Sequence, residues 1–486
     1  MMLDEIAHHE GMALSDGERS FTYRELIMAV EEISVQLRTS GAKTIGIAMD
    51  NSPLWGVLDL AILNARLVCV PLPGFFSTAQ LSHVIRDAGI DTVLTDRPEF
   101  FRELLGGSTG QLIERRHFFG NYTELRCIGA SSKAPSGTAK ITYTSGTTGN
   151  PKGVCLDILS MEKVAKSLLE ASRASSSDRY LSVLPLPTLL ENIGALYVSL
   201  LAGATCYLPP LGQVGLGGAA KLDPAKMARA FERFRASCAI LTPQLLGGLV
   251  ALEQPLPDFR FLAVGGAPVS MRLLEKAVEL GFPVFEGYGL SECASVVSLN
   301  TKASHKIGSV GKPLPHVDLK FAEDGEMLVK GALMLGYCQG DAANRNEYWP
   351  TGDTGYLDGD GFLHLTGRKK NIFITSFGRN VAPEWVEREL TVHPAILQAA
   401  VFGEGRPWSV AVIVPRDYEL VEDAVGQANE TLPDYARIGK WLVSDMPFLP
   451  ENGQMTANGR LKRDAIWPLY RERIEALYEG EHCEVL

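Results

Sequence analysis

Several function classes are ruled out by what this chain lacks. Its eight cysteines, at 69, 127, 155, 206, 238, 293, 338 and 483, include no Cys-x-x-Cys pair. Neither a structural zinc site nor a dithiol redox motif is therefore written in the sequence. Scattered thiols of this kind suit a reducing compartment. Basic residues are in deficit, with 46 Lys and Arg against 57 Asp and Glu and a net charge of −11. No broad basic surface is available to neutralise a nucleic-acid backbone, which argues against nucleic acid as a main partner. Long hydrophobic runs are missing too. The longest, Ile193 to Leu208, is interrupted by Gly194, Ser199, Gly203 and Thr205. It reads as a buried helix followed by a strand rather than a membrane span. The opening Met1-Met-Leu-Asp-Glu-Ile lacks the basic-then-apolar form of a secretory leader, so a cytoplasmic location is expected. No internal repeat and no long low-complexity tract is seen.

What is present describes a large, well-packed protein. A length of 486 residues calls for more than one core, and 46% hydrophobic with 21% charged residues suits an ordered soluble chain. Apolar residues at helical spacing predict helices over 21–33 and 55–63. Short β-rich runs near 44–49, 67–72, 91–95, 181–184, 205–208, 239–241 and 261–264 predict strands between helices. This alternation is the signature of an α/β fold with a mostly parallel sheet covered on both faces. From about residue 305 the pattern changes to short strands with Asp-Gly turns, which predicts antiparallel hairpins. After Gly367-Arg368-Lys369-Lys370 a compact α+β unit follows, and the main boundary is placed at 367–371.

One segment carries the clearest chemistry. Thr144-Ser-Gly-Thr-Thr-Gly-Asn-Pro-Lys-Gly153 combines three glycines, three threonines, a serine and a lysine behind a β-rich lead-in. Backbone N–H groups, small hydroxyls and one long cation are together suited to a polyphosphate. The spacing is not that of a Walker A loop, because Pro151 stands where a glycine is required. Nor does a Gly-x-Gly-x-x-Gly open a helix here.

Other motifs follow in order: Val264-Gly-Gly-Ala-Pro268, Phe285-Glu-Gly-Tyr-Gly-Leu-Ser-Glu292, Tyr348-Trp-Pro-Thr-Gly-Asp353, Gly367-Arg368, and the stretch from Glu451 through Thr456 and Gly459 to Arg463. In this order and spacing the chain resembles the adenylate-forming superfamily of acyl-CoA synthetases, luciferases and peptide-synthetase adenylation domains. The resemblance spans nearly the whole sequence and is nearest to the fatty acyl-CoA synthetases and other acid–thiol ligases. It implies a large N-terminal domain (1–367) of doubly covered, mostly parallel sheets with a small β-barrel-like subdomain. A hinge (368–371) and a small, mobile α+β C-terminal domain (372–486) would follow.

The resemblance also implies a site. Thr144, Ser145, Gly146, Thr147, Thr148, Gly149 and Lys152 would hold the ATP phosphates. Glu292, with help from Thr144, would hold Mg²⁺, a hard cation that prefers oxygen. Ser291 would bond the α-phosphate. Gly265, Gly266 and Ala267, with Glu286, Gly287 and Tyr288, would form the adenine slot. Asp353 would accept both ribose hydroxyls, and Arg368 would add a donor. Lys370 would be the hinge residue. Gly378, in the loop Thr375 to Pro383, would let a pantetheine arm pass close to the backbone. The acceptor thiol is CoA or the phosphopantetheine of a carrier protein.

One departure stands out. The family motif is Gly-Lys, two residues, then Arg, and this chain reads Gly459-Arg460-Leu461-Lys462-Arg463. Arg460 falls on the adenylating lysine. Either Arg460 performs that role, or Lys462 reaches in after a local shift, or the adenylating step is weakened. Arg keeps the charge but not the geometry of an ammonium.

For the acid, Leu184-Pro-Leu-Pro-Thr-Leu-Leu-Glu-Asn-Ile193 resembles the matching segment of long-chain fatty acyl-CoA synthetases, with Thr188 in place of a histidine. No aspartate in 184–193 is available to bind an α-ammonium, so a free amino acid is not expected. Leu189, Ile193, Val264, Gly289 and Val296 are the candidate pocket wall. A medium- to long-chain fatty acid passed to CoA is the expected reaction. An aryl-acid or carrier-protein ligase, or a nucleotide sensor on the same fold, is the alternative. The oligomeric state is left open.

Overall fold

The computed structural model describes residues 2–106, 109–117, 119–127, 132–144, 151–217, 221–256, 259–456 and 459–479. Two large sheets organise the N-terminal part. The first has nine strands, in the order Lys312–Pro313, Ser298–Leu299, Val284–Tyr288, Phe261–Val264, Cys238–Leu241, Arg179–Leu181, Thr205–Tyr207, Met12–Ser15 and Ser20–Thr22. Its six inner strands are parallel. The second has eight: Gly336–Tyr337, Lys152–Leu156, Lys140–Thr144, Val68–Pro71, Thr44–Ala48, Thr92–Thr95, Gly120–Cys127 and Thr109–His117. Its middle four are parallel, and both margins are antiparallel. The α/β architecture is the one the alternating pattern predicts.

One hydrophobic core joins both sheets. It takes in Leu14, Leu181 and Leu262 from the first, Ile45 and Val154 from the second, and Trp55 and Leu58 from the helix Pro53–Asn64. That helix is apolar on nearly every face and buried along nearly its whole length, as expected of a helix packed on all sides. A third sheet, Asp318–Phe321, Glu326–Lys330, Trp349–Leu357 and Leu363–Arg368, is antiparallel throughout. The hairpin pattern after residue 305 is thus only partly one unit. Lys312–Pro313 leaves it to pair with Ser298–Leu299 at the edge of the nine-stranded sheet.

Beyond Arg368 the chain builds separate cores. The strands Ile396–Phe402 and Ser409–Pro415 are antiparallel, and Ile438–Val443 runs parallel to the second. Alternate residues point to opposite faces. Val401, Ala411 and Ile413 meet Val386 and Leu390 of the helix Pro383–Thr391. Ala400, Val410 and Val412 meet Ile466 and Tyr470 of the helix Arg463–Glu479. Both cores draw only on residues from 373 onward.

A buried polar joint fixes the strand that leads into the phosphate loop. Lys140, in Lys140–Thr144, has no exposed side-chain surface and forms an ion pair with equally buried Asp59 at 2.7 Å. It also donates to Tyr197 Oη at 2.8 Å and to Asn192 Oδ1. Tyr197 Oη donates to Asp59 Oδ2 at 2.6 Å, and Cys69 Sγ donates to Oδ1 at 3.3 Å. Asn192 and Tyr197 begin and end a π-helical turn, Asn192–Tyr197, inside the stretch read from sequence as plain helix. The wider turn places both side chains on the ion pair. Charges this deep are stable only when every lone pair and proton is matched, and here two neighbouring strands of the eight-stranded sheet and two helical segments supply the partners.

Lys140→Met leaves Asp59 buried without its counter-charge. A loss of about 3–5 kcal/mol is expected, read as a lower urea midpoint, with Asp59→Leu added to the same chain recovering part of it. An unchanged midpoint in the single variant contradicts this account of the joint.

Candidate active site

The phosphate-loop segment lies between two paired strands. Lys140–Thr144 and Lys152–Leu156 are antiparallel, and Thr144 faces Lys152 across the ladder. Ser145, Gly146, Thr147, Thr148 and Gly149 lie outside the described residues. The register alone separates this segment from a Walker loop, which leads from a strand into a helix. Gly153 is required by packing: a Cβ there would stand 2.8 Å from the Tyr143 ring and 2.9 Å from Ile141. Lys152 Nζ lies over the ring of Tyr337, 5.6 Å from its centre.

Glu292 sits in a single 3₁₀ turn, Ser291–Cys293. Ala294 and Ser295 follow with φ of 51° and 103°, conformations that L-residues adopt at a cost. A Cβ on Gly289 would fall 1.7 Å from the Ser295 carbonyl oxygen, so only glycine fits where the chain doubles back. Tyr337 Oη donates to Glu292 Oε1 at 2.9 Å, which leaves Oε2 without that partner. Among the described residues no group of three His, Cys, Asp or Glu is placed to hold a metal. One carboxylate therefore fits Mg²⁺ only if phosphate and water supply the other ligands, which is how Mg²⁺ is commonly held beside a nucleotide.

Asp353 is the best-organised carboxylate. It faces Arg368 across the strands Trp349–Leu357 and Leu363–Arg368 and pairs with Arg368 Nε at 2.8 Å. Tyr288 Oη donates to its other oxygen at 2.6 Å. Burial, then the charge of Asp353, drives the Tyr288 phenol far above its ordinary pKa, so it stays a donor. The residues expected to frame an adenine lie at the ends of two parallel strands. Gly265 approaches Gly287 so closely that a Cβ would meet its carbonyl oxygen at 3.2 Å, and Gly266 has φ of 86°. Glu286 is buried, and burial pushes its carboxyl up to about 8, with the Arg388 guanidinium pulling the other way. It is therefore mostly protonated at neutral pH.

Arg460 closes the site from the C-terminal side. Its Nη2 donates to the Gly266 carbonyl at 3.3 Å. Thr456 N–H donates to the Arg460 carbonyl at 2.7 Å, and the Arg460 N–H donates to Thr456 Oγ1 at 3.0 Å. Gly459, with φ of 79°, stands against Gln244 of the N-terminal part. By surface area Arg460 is an exposed residue, yet protein surrounds it closely. Enclosure and the charge of Arg368 lower its pKa; Asp353, Tyr288 and Glu292 oppose them. Lys370 is also lowered, by burial first and then by Arg368, Arg460 and Lys152.

All these groups line one cavity of about 1910 Å³, with Leu189, Val264, Gly289 and Val296 in its wall. Ile193 is not in the wall: it is fully buried behind it, and Leu190 and Gly194 line the cavity instead. Lys462 does not line the cavity either; its N–H is bonded to the Gln454 carbonyl at 2.8 Å. Gly378 is likewise away from the cavity, in a turn with φ of 71° and open space around its α-carbon. Tyr337 was not marked by sequence. It belongs to a two-residue strand without periodicity, and only its register with Lys152–Leu156 brings it to Glu292.

The sequence model of the AMP-binding enzyme family matches residues 5–338, and that of its C-terminal domain matches residues 370–482. The long-chain-fatty-acid–CoA ligase FadD15 of Mycobacterium bovis is 28% identical, over 88% of this chain and 86% of its own. The o-succinylbenzoate CoA synthetase MenE of Bacillus subtilis has been solved with its acyl-adenylate intermediate. That structure is 26% identical, covers 96% of this chain and 97% of its own, and has a TM-score of 0.77. The same enzyme with ATP and magnesium is 27% identical, with coverage of 95% and 98% and a TM-score of 0.75.

Asp353→Asn keeps the shape but removes the charge that Arg368 and two ribose hydroxyls would share. Calorimetry with AMP is expected to show binding weakened about 10-fold or more, since hydrogen bonds to charged groups contribute about 1.5–3 kcal/mol. Undiminished AMP binding would place the ribose elsewhere.

Proposed function

We propose that this chain, which belongs to the AMP-binding enzyme family and is an acid–thiol ligase of the acyl-CoA synthetase type, acts on a slender apolar carboxylic acid of medium to long chain and passes it to CoA. In the first step a carboxylate oxygen attacks the α-phosphorus of ATP, the bond to pyrophosphate breaks, and acyl-AMP forms. A carboxylate is a poor electrophile, and the mixed anhydride supplies the leaving group it lacks. In the second step a thiol sulfur attacks the acyl carbon and AMP departs.

The protein groups divide between positioning and charge. Asp353, Arg368 and Tyr288 hold the ribose. Gly265, Gly266, Ala267, Glu286 and Gly287 frame the adenine. Lys152 and the 144–149 segment receive the β- and γ-phosphates, and Ser291 bonds the α-phosphate. Arg460 donates to the Gly266 carbonyl, and its charge is felt by Asp353 and Glu292. A cation there bridges the acid and the α-phosphate as negative charge develops. Glu292 would hold Mg²⁺, which when bound would neutralise phosphate charge. Gly378 lies away from the cavity in this arrangement. Thiol transfer through it requires a second orientation of 372–486, turned about 368–371.

The observation that carries the choice of acid is a missing side chain. At Gly194, in the π turn, a Cβ would stand 2.9 Å from Ile240 Cδ1, with Leu190 and Leu168 at 3.8 and 4.0 Å. Leu168, Leu190, Gly194, Val198 and Ile240 all belong to the cavity wall. An apolar stretch of wall packed so closely that it needs a glycine suits an alkyl tail better than a ring. The aryl reading is favoured by the likeness to an enzyme solved with o-succinylbenzoyl-AMP, so both acid classes belong in the test.

Acid-dependent pyrophosphate release with straight-chain and aryl acids is expected to be strongest with a chain of medium or greater length. Gly194→Leu should lower kcat/KM for long relative to short acids by about tenfold or more, because a methylene misfit alone contributes about 1–3 kcal/mol. Preference for aryl acids, or a chain-length profile unmoved by the substitution, would overturn the alkyl reading. No release with any acid, while ATP still binds, would indicate a nucleotide sensor.

A further inference from the structure

The segment 334–338 grips the turn that carries Glu292 and the strand that leaves the phosphate loop at the same time. Towards the turn, the Met334 N–H donates to the Glu292 carbonyl at 2.8 Å, and Tyr337 Oη donates to the Glu292 carboxylate at 2.9 Å. Towards the strand, the Leu335 N–H donates to the Cys155 carbonyl and the Cys338 N–H to the Gly153 carbonyl, both at 2.8 Å. Tyr337 lies opposite Val154, two residues from Lys152, and its ring carries the Lys152 ammonium at 5.6 Å. One side chain therefore touches both the carboxylate assigned to the metal and the cation assigned to the terminal phosphates.

The backbone around this contact is not free to adjust. Gly336 has φ of 144°, and a Cβ on it would meet the Asp341 carbonyl oxygen at 2.6 Å. Ala294 and Ser295 hold left-handed φ values directly after Glu292. Such conformations persist where surrounding contacts over-determine them: Ala294 N–H donates to the Ser291 carbonyl at 3.1 Å and Ser295 N–H to the Leu290 carbonyl at 3.2 Å, while the 334–338 segment holds Glu292 itself. A glutamate on so short a turn has several staggered rotamers open to it. The phenol hydrogen bond selects one and fixes Oε1, so that Oε2 is the oxygen presented to a cation.

We propose that Tyr337 is a positioning residue that orients Glu292 for the divalent cation and ties that orientation to Lys152, so that metal and triphosphate are received by one preset unit. Tyr337 need not touch nucleotide or acid. Its effect is confined to ligands that carry both a metal and β,γ-phosphates. AMP and acyl-AMP, which lack those phosphates, are held by Asp353, Arg368 and the adenine slot and do not depend on it. This inference rests on the reading of the cleft as an ATP site.

The test uses the full-length protein and Tyr337→Phe, which keeps the ring over Lys152 and removes only the hydroxyl. Calorimetry without acid should show Mg²⁺·ATP binding weakened about tenfold, with AMP binding changed less than about twofold, in the range of a lost hydrogen bond to a charged group. The Mg²⁺ concentration needed for half-maximal adenylation should rise. Thioester formation from preformed acyl-AMP should hold its rate. In a double-mutant cycle, Tyr337→Phe added to Glu292→Gln should weaken Mg²⁺·ATP binding no further. Equal weakening of AMP and Mg²⁺·ATP would reduce Tyr337 to a packing residue, and unchanged Mg²⁺·ATP binding or additive losses in the cycle would overturn the proposal. Failure of the unaltered protein to bind Mg²⁺·ATP at all would overturn the ATP reading itself.

Discussion

Like-charge repulsion is the constraint around which this cleft is built. Lys152, Arg368, Lys370 and Arg460 all line one cavity. The ammonium of Lys370 and the guanidinium of Arg460 are both weakened by enclosure and by the neighbouring cations. Glu292 and Asp353 answer only part of that charge. Such an arrangement is uncomfortable until an anion enters, and in a partly enclosed space each added negative charge counts for more than it would in water. A nucleoside triphosphate joined by a carboxylate supplies what is missing. The cleft is prepared for the charge distribution of adenylation rather than for a neutral ligand.

The fold serves that arrangement from two directions. Parallel strands of the nine-stranded sheet end at Val264 and Tyr288, where Gly265 and Gly287 allow the two chains to approach closely. The eight-stranded sheet delivers Thr144 and Lys152 as partners at the base of the phosphate segment. The Lys140–Asp59 joint holds the first of these strands against the π turn that also places Gly194 in the cavity wall. The proposed phosphate end and the proposed acid end are thus tied to one buried polar knot. The loop around Arg460 then closes on Gly266 from the separate C-terminal cores.

Much of this was legible in the chain because the relevant chemistry is local. The strand–helix alternation that marks the α/β fold is local periodicity, and Thr351-Gly352-Asp353 and Gly367-Arg368 lie close enough in sequence to pair as adjacent strands. What could not be read depends on distant register. Tyr337 finds Glu292 across 45 residues, and Lys140, on a strand, finds Asp59 on a helix far earlier in the chain. The π turn looks like any apolar helix until its polar residues have somewhere to point. Ile193 and Gly194 illustrate the same limit. A single residue step, about 100° of helix phase, decides which one lines a cavity, and a widened turn shifts that phase.

Arginine in place of the usual lysine is where this chain departs most from its family, and the structure brings Arg460, not Lys462, to the cavity. Its planar fork can donate to a carboxylate and a phosphate together, which an ammonium does only as a point charge. The most direct measurement separates the two half-reactions of Arg460→Ala in single-turnover experiments. The account predicts acyl-adenylate formation reduced by about 10²-fold or more, as for loss of a preorganised charge-stabilising donor, while thioester formation from supplied acyl-AMP changes little. Equal losses in both half-reactions, or undiminished adenylation, would contradict it.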